Sequence, residues 1–181
     1  PRSLRDEFAE TYGIKIEGDL CPICRHTLLE DYGGAFTKFP ITEASFSVRG
    51  RKGVGVVPPM DPNTQDTSLL IGSEDISKLD LYPEDDPRVL SLNGAFNVGN
   101  RGIVEFVEVF KNEIEFLHTM ITATQEKSVP SPGKQAMIYF DGVILAHCNE
   151  AEWNQFKSEH TNEAILDRIV RVNVPYCLEV D

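Results

Sequence analysis

Apolar positions along this chain switch between two spacings, and the switches mark out its elements. The clearest extended run is Ile103-Val104-Glu105-Phe106-Val107-Glu108-Val109, apolar except for two carboxylates and preceded by Gly102. Its length and β-branching predict a buried strand. Ahead of it, Leu4, Phe8 and Tyr12 share one helical face, with Gly13 as a stop. Residues 14–20 read as a short extended segment and residues 28–32 as a helical turn closed by Gly33-Gly34. Alternation around Phe39, Ile41, Ala44 and Phe46 predicts a strand over residues 38–48, broken by Pro40. A second short strand covers 53–57 and stops at Pro58-Pro59, before a turn-rich loop over 60–67. Gly72 to Asp75 reads as a turn opening a short helix through Lys78, and the acidic, Pro-containing stretch 80–88 as a surface loop.

Beyond the central run, residues 111–124 form the best helical pattern, with Ile114, Leu117 and Ile121 on one face. The Val129-Pro130-Ser131-Pro132-Gly133 stretch is a reversal. Residues 137–140 and 143–146 are apolar runs around Asp141-Gly142, a hairpin or one bent strand. Residues 151–158 are helical, with Trp153 and Phe156 facing inward, and 162–167 form a short helix. Residues 168–174 alternate as a strand ending at Pro175. From residue 93 the order is strand, helix, strand, helix, strand, which predicts an α/β fold with a mostly parallel sheet and flanking helices.

With 181 residues, the chain is long enough for one domain with a sizeable core. A formal net charge of −12 argues against a nucleic-acid partner. The short basic stretch Arg49 to Gly53 lacks interleaved aromatics and reads as a turn. No apolar run is long enough to cross a bilayer, so no membrane partner is expected. Four dispersed cysteines and no signal-peptide pattern fit a reducing, cytoplasmic setting. Because the first residue is Pro1, the chain is expected to be a piece of something longer.

Two places carry candidate chemistry. Cys21-Pro22-Ile23-Cys24 has the spacing of half a zinc knuckle, with Cys21 and Cys24 as the metal ligands. No second C-x-x-C follows, so its other readings stay open: a turn with two small buried thiols, a redox pair, or a half-site completed by ligands upstream. The second place is the carboxyl ends of the predicted strands, where open α/β sheets collect function. These ends supply Glu108, then Asn149 with Glu150, while Arg168 precedes the last strand. A carboxylate, an amide and a guanidinium suit phosphoryl chemistry. Each also has a plain structural reading: Glu105 and Glu108 facing solvent, Asn149 as a helix N-cap, Arg168 in a surface ion pair.

Several stretches resemble the PrkA family of serine protein kinases with an AAA+ ATPase core. They are IEGDLCPICR followed by EDYGG, then GAFNVGNRGIVEFVEVFK, TATQEK, ILAHCNEAEW and DRIVRVNVPY. The likeness runs from about Ile14 to Tyr176. It implies a partial AAA+ fold of the P-loop NTPase type, with residues 1–53 as a leading segment around the C-x-x-C turn and 54–181 as the partial ATPase core. It implies that the run 103–109 is the Walker B strand, with Val107 at the usual Asp position and catalytic Glu108 at the usual Glu. Glu105 is then a possible substitute for the missing carboxylate, Asn149 the sensor 1 residue that contacts nucleotide, and Arg168 the arginine finger, with Arg171 as runner-up.

The motif G-x-x-x-x-G-K-S/T is absent from these residues, so the backbone cradle for phosphates is missing. The resemblance therefore implies the middle of an ATP-dependent serine/threonine kinase, inactive alone and without its central P-loop strand. That loss is expected to leave a gap beside the strand ending at His147. The cofactors implied are ATP and Mg, with zinc a further possibility. The partners implied are a protein substrate and, in the parent, further copies of itself. Two other readings are a regulatory module built on the C-x-x-C region, and an ATP-driven protease or unfoldase role of the parent.

Overall fold

The computed structural model describes residues 5–13, 19–41, 45–59, 66–112, 114–134 and 136–175. Its elements in chain order begin with α1 (Arg5–Tyr12), α2 (Pro22–Glu30), β1 (Val54–Val57), α3 (Ser68–Ile71), β2 (Ser73–Glu74), β3 (Leu90–Ser91) and α4 (Ala95–Val98). They continue with β4 (Ile103–Phe106), α5 (Ile114–Glu126), β5 (Ser128–Pro130), β6 (Met137–Tyr139), β7 (Val143–Ala146), α6 (Glu150–Ser158) and α7 (Glu163–Leu166).

The central sheet is parallel and three-stranded in the order β1-β4-β7. Val56, Glu105 and Leu145 are in register across it, as are Val57, Phe106 and Ala146. Side chains alternate between faces along a strand, so the register separates two surfaces. Val57, Val104 and Phe106 point into the core, where they meet Phe96, Leu117, Phe140 and Ile165. Phe96 contacts Phe140 edge to face at 5.1 Å between ring centres. The opposite face carries Glu105 with Val56, Val143 and Leu145, the three apolar residues all exposed. Parallel sheets are ordinarily covered on both faces; among the described residues this one is covered on one.

Two glycines set how closely the layers approach. A Cβ on Gly55 would collide with the backbone carbonyl of Ala95, so α4 lies directly on β1. A Cβ on Gly102 would collide with the carbonyl of Gly53, which accepts the Ile103 N–H at 2.9 Å as β1 and β4 begin to pair.

Five sequence expectations are corrected. First, α2 starts at Pro22, six residues earlier than the pattern suggested. Cys21 serves as N-cap and Pro22 fills the first helical position, where its missing N–H does no harm. Second, no strand forms over the described part of 38–48. Phe36–Lys38 is a 3₁₀ turn and Ser47 makes one isolated bridge to Lys52. Third, the central strand ends at Phe106, because Glu108 is left-handed, φ 49° and ψ 55°.

Fourth, the runs around Asp141-Gly142 form neither a hairpin nor one strand. β6 pairs antiparallel with β5, whereas β7 joins β4 in parallel. Asn100 fixes the divide: its amide donates to the Tyr139 carbonyl at 2.8 Å and accepts from the Asp141 N–H at 2.9 Å. Fifth, residues 169–175 form no ladder, and Val170, Val172 and Val174 are 90%, 76% and 86% exposed. Alternation makes a segment suitable for a strand, but a strand also needs a neighbour with free edge groups in reach. Among the described residues none pairs with this segment or with the outer edge of β7. Most of the extended segment expected over 14–20, and of the loop expected over 60–67, lies outside the described residues.

Candidate functional site at the carboxyl rim of the sheet

The loops leaving β4 and β7 are tied together by backbone hydrogen bonds. The His147 N–H donates to the Phe106 carbonyl at 3.1 Å, and the Val109 N–H donates to the His147 carbonyl at 3.0 Å. On the other side, the Val107 N–H donates to the Val57 carbonyl at 2.9 Å. The rim is therefore a continuous ledge built from three chain segments, and the predicted residues at the strand ends lie on it.

Glu108 sits at the turn between β4 and the 3₁₀ segment Val109–Lys111. Its left-handed backbone is uncommon for a residue with a long side chain and carries strain of about 1–2 kcal/mol. Its carboxylate accepts from Lys111 Nζ at 2.6 Å, and that bond raises the lysine pKa. The same ammonium lies 4.0 Å from Glu152 Oε1 on α6. Glu105 Oε1 lies 3.5 Å from His147 Nε2, on the sheet face away from the core.

Asn149 is the N-cap of α6, its Oδ1 accepting the Glu152 N–H at 2.8 Å. Capping occupies the amide oxygen and leaves the NH₂ end as a donor. Burial raises the pKa of the neighbouring Cys148 thiol; Glu152 adds to the effect and Arg171 opposes it.

The structure thus gathers Glu105, Glu108 and Asn149 on one rim and adds Lys111, His147 and Glu152. The sequence reading did not assign roles to these three. The lysine had a signal, three residues after Glu108 at the start of a helical pattern. Glu152 had none, because a strand–helix turn brings it back to the rim.

Arg168 is elsewhere. Its guanidinium donates to the Ala164 carbonyl and, at 3.1 Å, to Gln125 Oε1. Gln125 is near the C-terminal end of α5, a helix of 13 residues that runs away from the rim. At 1.5 Å per residue that helix is about 20 Å long, so Arg168 is not brought to the rim of its own chain. Arg171 lies over the ring of Trp153 at 5.3 Å, and Trp153 in turn packs against Phe110 of the turn after β4.

The C-x-x-C pair sits at a helix N-terminus, where the Cys24 N–H donates to Cys21 Sγ at 3.3 Å. Burial, followed by the hydrogen bond with Cys21, pushes the Cys24 thiol up to about 11. Structural zinc needs four ligands, and among the described residues no group of three His, Cys, Asp or Glu side chains is placed to hold a metal. The donor set of Cys21 and Cys24 alone does not fit zinc.

The family described as the PrkA AAA domain matches residues 1–181. A Bacillus subtilis (strain 168) protein named ATP-dependent protease PrkA is 41% identical over 181 residues, covering 99% of this chain and 28% of that protein. An Escherichia coli (strain K12) protein named serine/threonine kinase YeaG is 42% identical over 152 residues, covering 84% of this chain and 24% of that protein. The chain therefore spans about a quarter of the length of these curated relatives. Among solved structures, NtrX from Brucella abortus in complex with ADP aligns at a TM-score of 0.45 and 16% identity, covering 65% of this chain and 24% of that one.

Proposed function

The chain belongs to the PrkA AAA domain family, and from that premise we propose that it is part of the ATPase core of an ATP-dependent serine/threonine protein kinase. The observation that carries this reading is the rim itself: the Val109–His147 hydrogen bond holds Glu108 and Asn149 on neighbouring loops at the carboxyl ends of two parallel strands. Residues 54–181 form the core piece on this reading, and 1–53 lead into it.

The roles follow from chemistry. Glu108, released from Lys111, orients the attacking water or hydroxyl. The NH₂ end of Asn149 donates to a phosphate oxygen. Glu105 would help to hold Mg, which would neutralise phosphate charge, because Val107 has no carboxylate. Arg168, remote from its own rim, suits a finger offered to a neighbouring copy in a homo-oligomer. ATP brings the transferable phosphoryl group. Its phosphate cradle, absent from these 181 residues, belongs on this reading to another part of the parent, whose strand pairs with the outer edge of β7. The setting is cytoplasmic and the phosphate acceptor is a protein.

The test is ATP turnover and phosphate transfer to protein by the full-length parent, comparing wild type with Glu108→Gln. Loss of a group that acts on the transition state lowers kcat by about 10²–10³ with nucleotide binding retained. Wild-type turnover in the variant overturns the assignment of Glu108. A second reading, an ATP-driven protease or unfoldase, is favoured by the name of the Bacillus relative. ATP-dependent peptide-bond cleavage without phosphate transfer to protein selects it.

A further inference from the structure

We propose that Cys21 and Cys24 are a reversible dithiol–disulfide pair that exchanges with low-molecular-weight disulfides. The two residues open a helix of nine residues, with Cys21 as the N-cap of α2 and Pro22 as its first helical residue. The backbone of Cys21 is extended, and its carbonyl accepts the Arg25 N–H at 2.9 Å, the first bond of the helix. Its sulfur turns back over that turn and accepts the Cys24 N–H at 3.3 Å. The Cys24 thiol hydrogen-bonds to the same sulfur. Both side chains are thus held over one helical turn with their sulfurs within hydrogen-bonding reach, and joining them asks movement of no other element.

The residue types are informative. An N-cap favours Ser, Thr, Asp or Asn, whose oxygens accept well. Sulfur is a weak acceptor, so capping alone does not account for a cysteine at position 21. Still less does it account for a second cysteine at the residue whose N–H is capped. A structural metal needs further ligands, and no group of three His, Cys, Asp or Glu side chains among the described residues is placed to hold one. Inert structural thiols are fully buried, whereas Cys21 and Cys24 are each only partly buried. Leu20 and Pro22, on either side of Cys21, line an open groove of about 300 Å³. A small disulfide therefore reaches this turn from solvent.

The two sulfurs have different parts. Burial, followed by the hydrogen bond with Cys21, keeps Cys24 protonated at neutral pH, so Cys21 is the attacking sulfur. As a thiolate it attacks a disulfide RSSR: the Cys21–SR bond forms, the S–S bond of RSSR breaks, and the leaving RS⁻ takes a proton from solvent. Cys24 then gives its proton to solvent and attacks Cys21 Sγ. The Cys21–Cys24 bond forms and the second RS⁻ leaves and is protonated. Two electrons pass from the dithiol to RSSR, which departs as two RSH. The second step is intramolecular, and effective concentrations in well-oriented steps of that kind reach about 10⁵–10⁸ M. That offsets the small thiolate fraction of Cys24. The inference does not depend on the ATPase reading, because neither cysteine has a role in it.

The experiment treats the reduced full chain with glutathione disulfide, quenches with acid and follows the peptide that holds both cysteines by mass spectrometry. Cys148 and Cys177 are read on their own peptides. The expected wild-type product has lost two hydrogens at Cys21 and Cys24, without a lasting mixed disulfide, and dithiothreitol reverses it. Cys24→Ser should stop at glutathionylated Cys21. Cys21→Ser should react at Cys24 at least about tenfold more slowly, yet be no less stable in urea, because serine is the stronger cap. That combination separates the chemical role of Cys21 from its capping role. Circular dichroism checks the fold of both variants. No internal disulfide in wild type, exchange in Cys21→Ser at the wild-type rate, or stoichiometric zinc binding by the reduced chain that Cys24→Ser abolishes overturns the proposal.

Discussion

His147 Nε2 and Glu105 Oε1 lie 3.5 Å apart across the β4–β7 pair, on the sheet face that turns away from the core. Both side chains are about half exposed, at 55% and 42%. An ion pair in that setting contributes at most about 1 kcal/mol. Glu105→Gln should therefore shift the stability of the chain, read from urea unfolding, by less than about 1 kcal/mol. A loss near that of a core deletion would show that Glu105 holds the sheet together and is not a rim group available for chemistry.

Glu108 is the residue whose backbone conformation and side-chain role point in different directions. Left-handed geometry costs a long side chain about 1–2 kcal/mol, and Gly adopts it freely at an entropic cost of about 0.5–1 kcal/mol. Glu108→Gly should leave stability unchanged or raise it by up to about 1 kcal/mol while abolishing ATP turnover in the parent. Opposite signs for stability and activity, measured on one variant, would separate a strained functional position from an ordinary turn.

Gly55→Ala tests how closely α4 lies on β1. The added methyl meets the carbonyl, carbonyl carbon and Cα of Ala95, all backbone atoms that cannot rotate away. The expected loss is about 1–3 kcal/mol or more, as for overpacking elsewhere. Gly50→Ala is the control, since its methyl would meet the side chain of Ser47 at 3.1 Å and nothing else closer. Urea midpoints of the two variants should differ clearly.

Asp86 gives a pH-dependent signature. Arg88 holds its carboxyl well below the usual range, through side-chain bonds at 2.9 and 2.6 Å and its backbone N–H. The folded pKa lies below the unfolded value of about 3.9. Its stabilisation is therefore complete above that pH and is lost as pH falls toward the folded value. Asp86→Asn keeps the cap but not the charge. It should be less stable than wild type at neutral pH, with the gap closing below about pH 4. A constant gap from pH 7 to pH 2 would contradict this.

The thiol of Cys24 should be slow to alkylate. With its pKa pushed up to about 11, only about 0.1% is thiolate at pH 8, and the thiolate is the reactive form. Peptide mass spectrometry after iodoacetamide treatment should show labelling that rises steeply above pH 10 in the folded chain and is rapid at pH 9 in urea. Equal rates in both states would mean that burial and the neighbouring Cys21 do not shelter it.

How much of this was legible beforehand differed from element to element. The periodicity of residues 111–124 located α5, because a helix satisfies its own backbone and needs only one apolar face. The β1, β4 and β7 runs were found for a related reason: strands of a parallel sheet are apolar nearly throughout, here even though β7 is largely exposed among the described residues. The regions 38–48 and 168–174 carry the same kind of pattern and form no sheet among the described residues. A strand's hydrogen bonds belong to its neighbour, and periodicity does not report whether a neighbour is there. The start of α2 was missed although Cys21-Pro22 is a workable cap and first position, since the spacing of the cysteines drew the reading toward metal.

The sequence alone determined the α/β class, the family and the presence of Glu108 and Asn149 at strand ends, because these depend on local propensity and on motifs contiguous in the chain. Only the tertiary structure decided that the two residues share a ledge, and that Arg168 lies against Gln125 and away from it. Those relationships join residues dozens of positions apart through packing and hydrogen-bond direction, and no pattern along the chain encodes a direction in space.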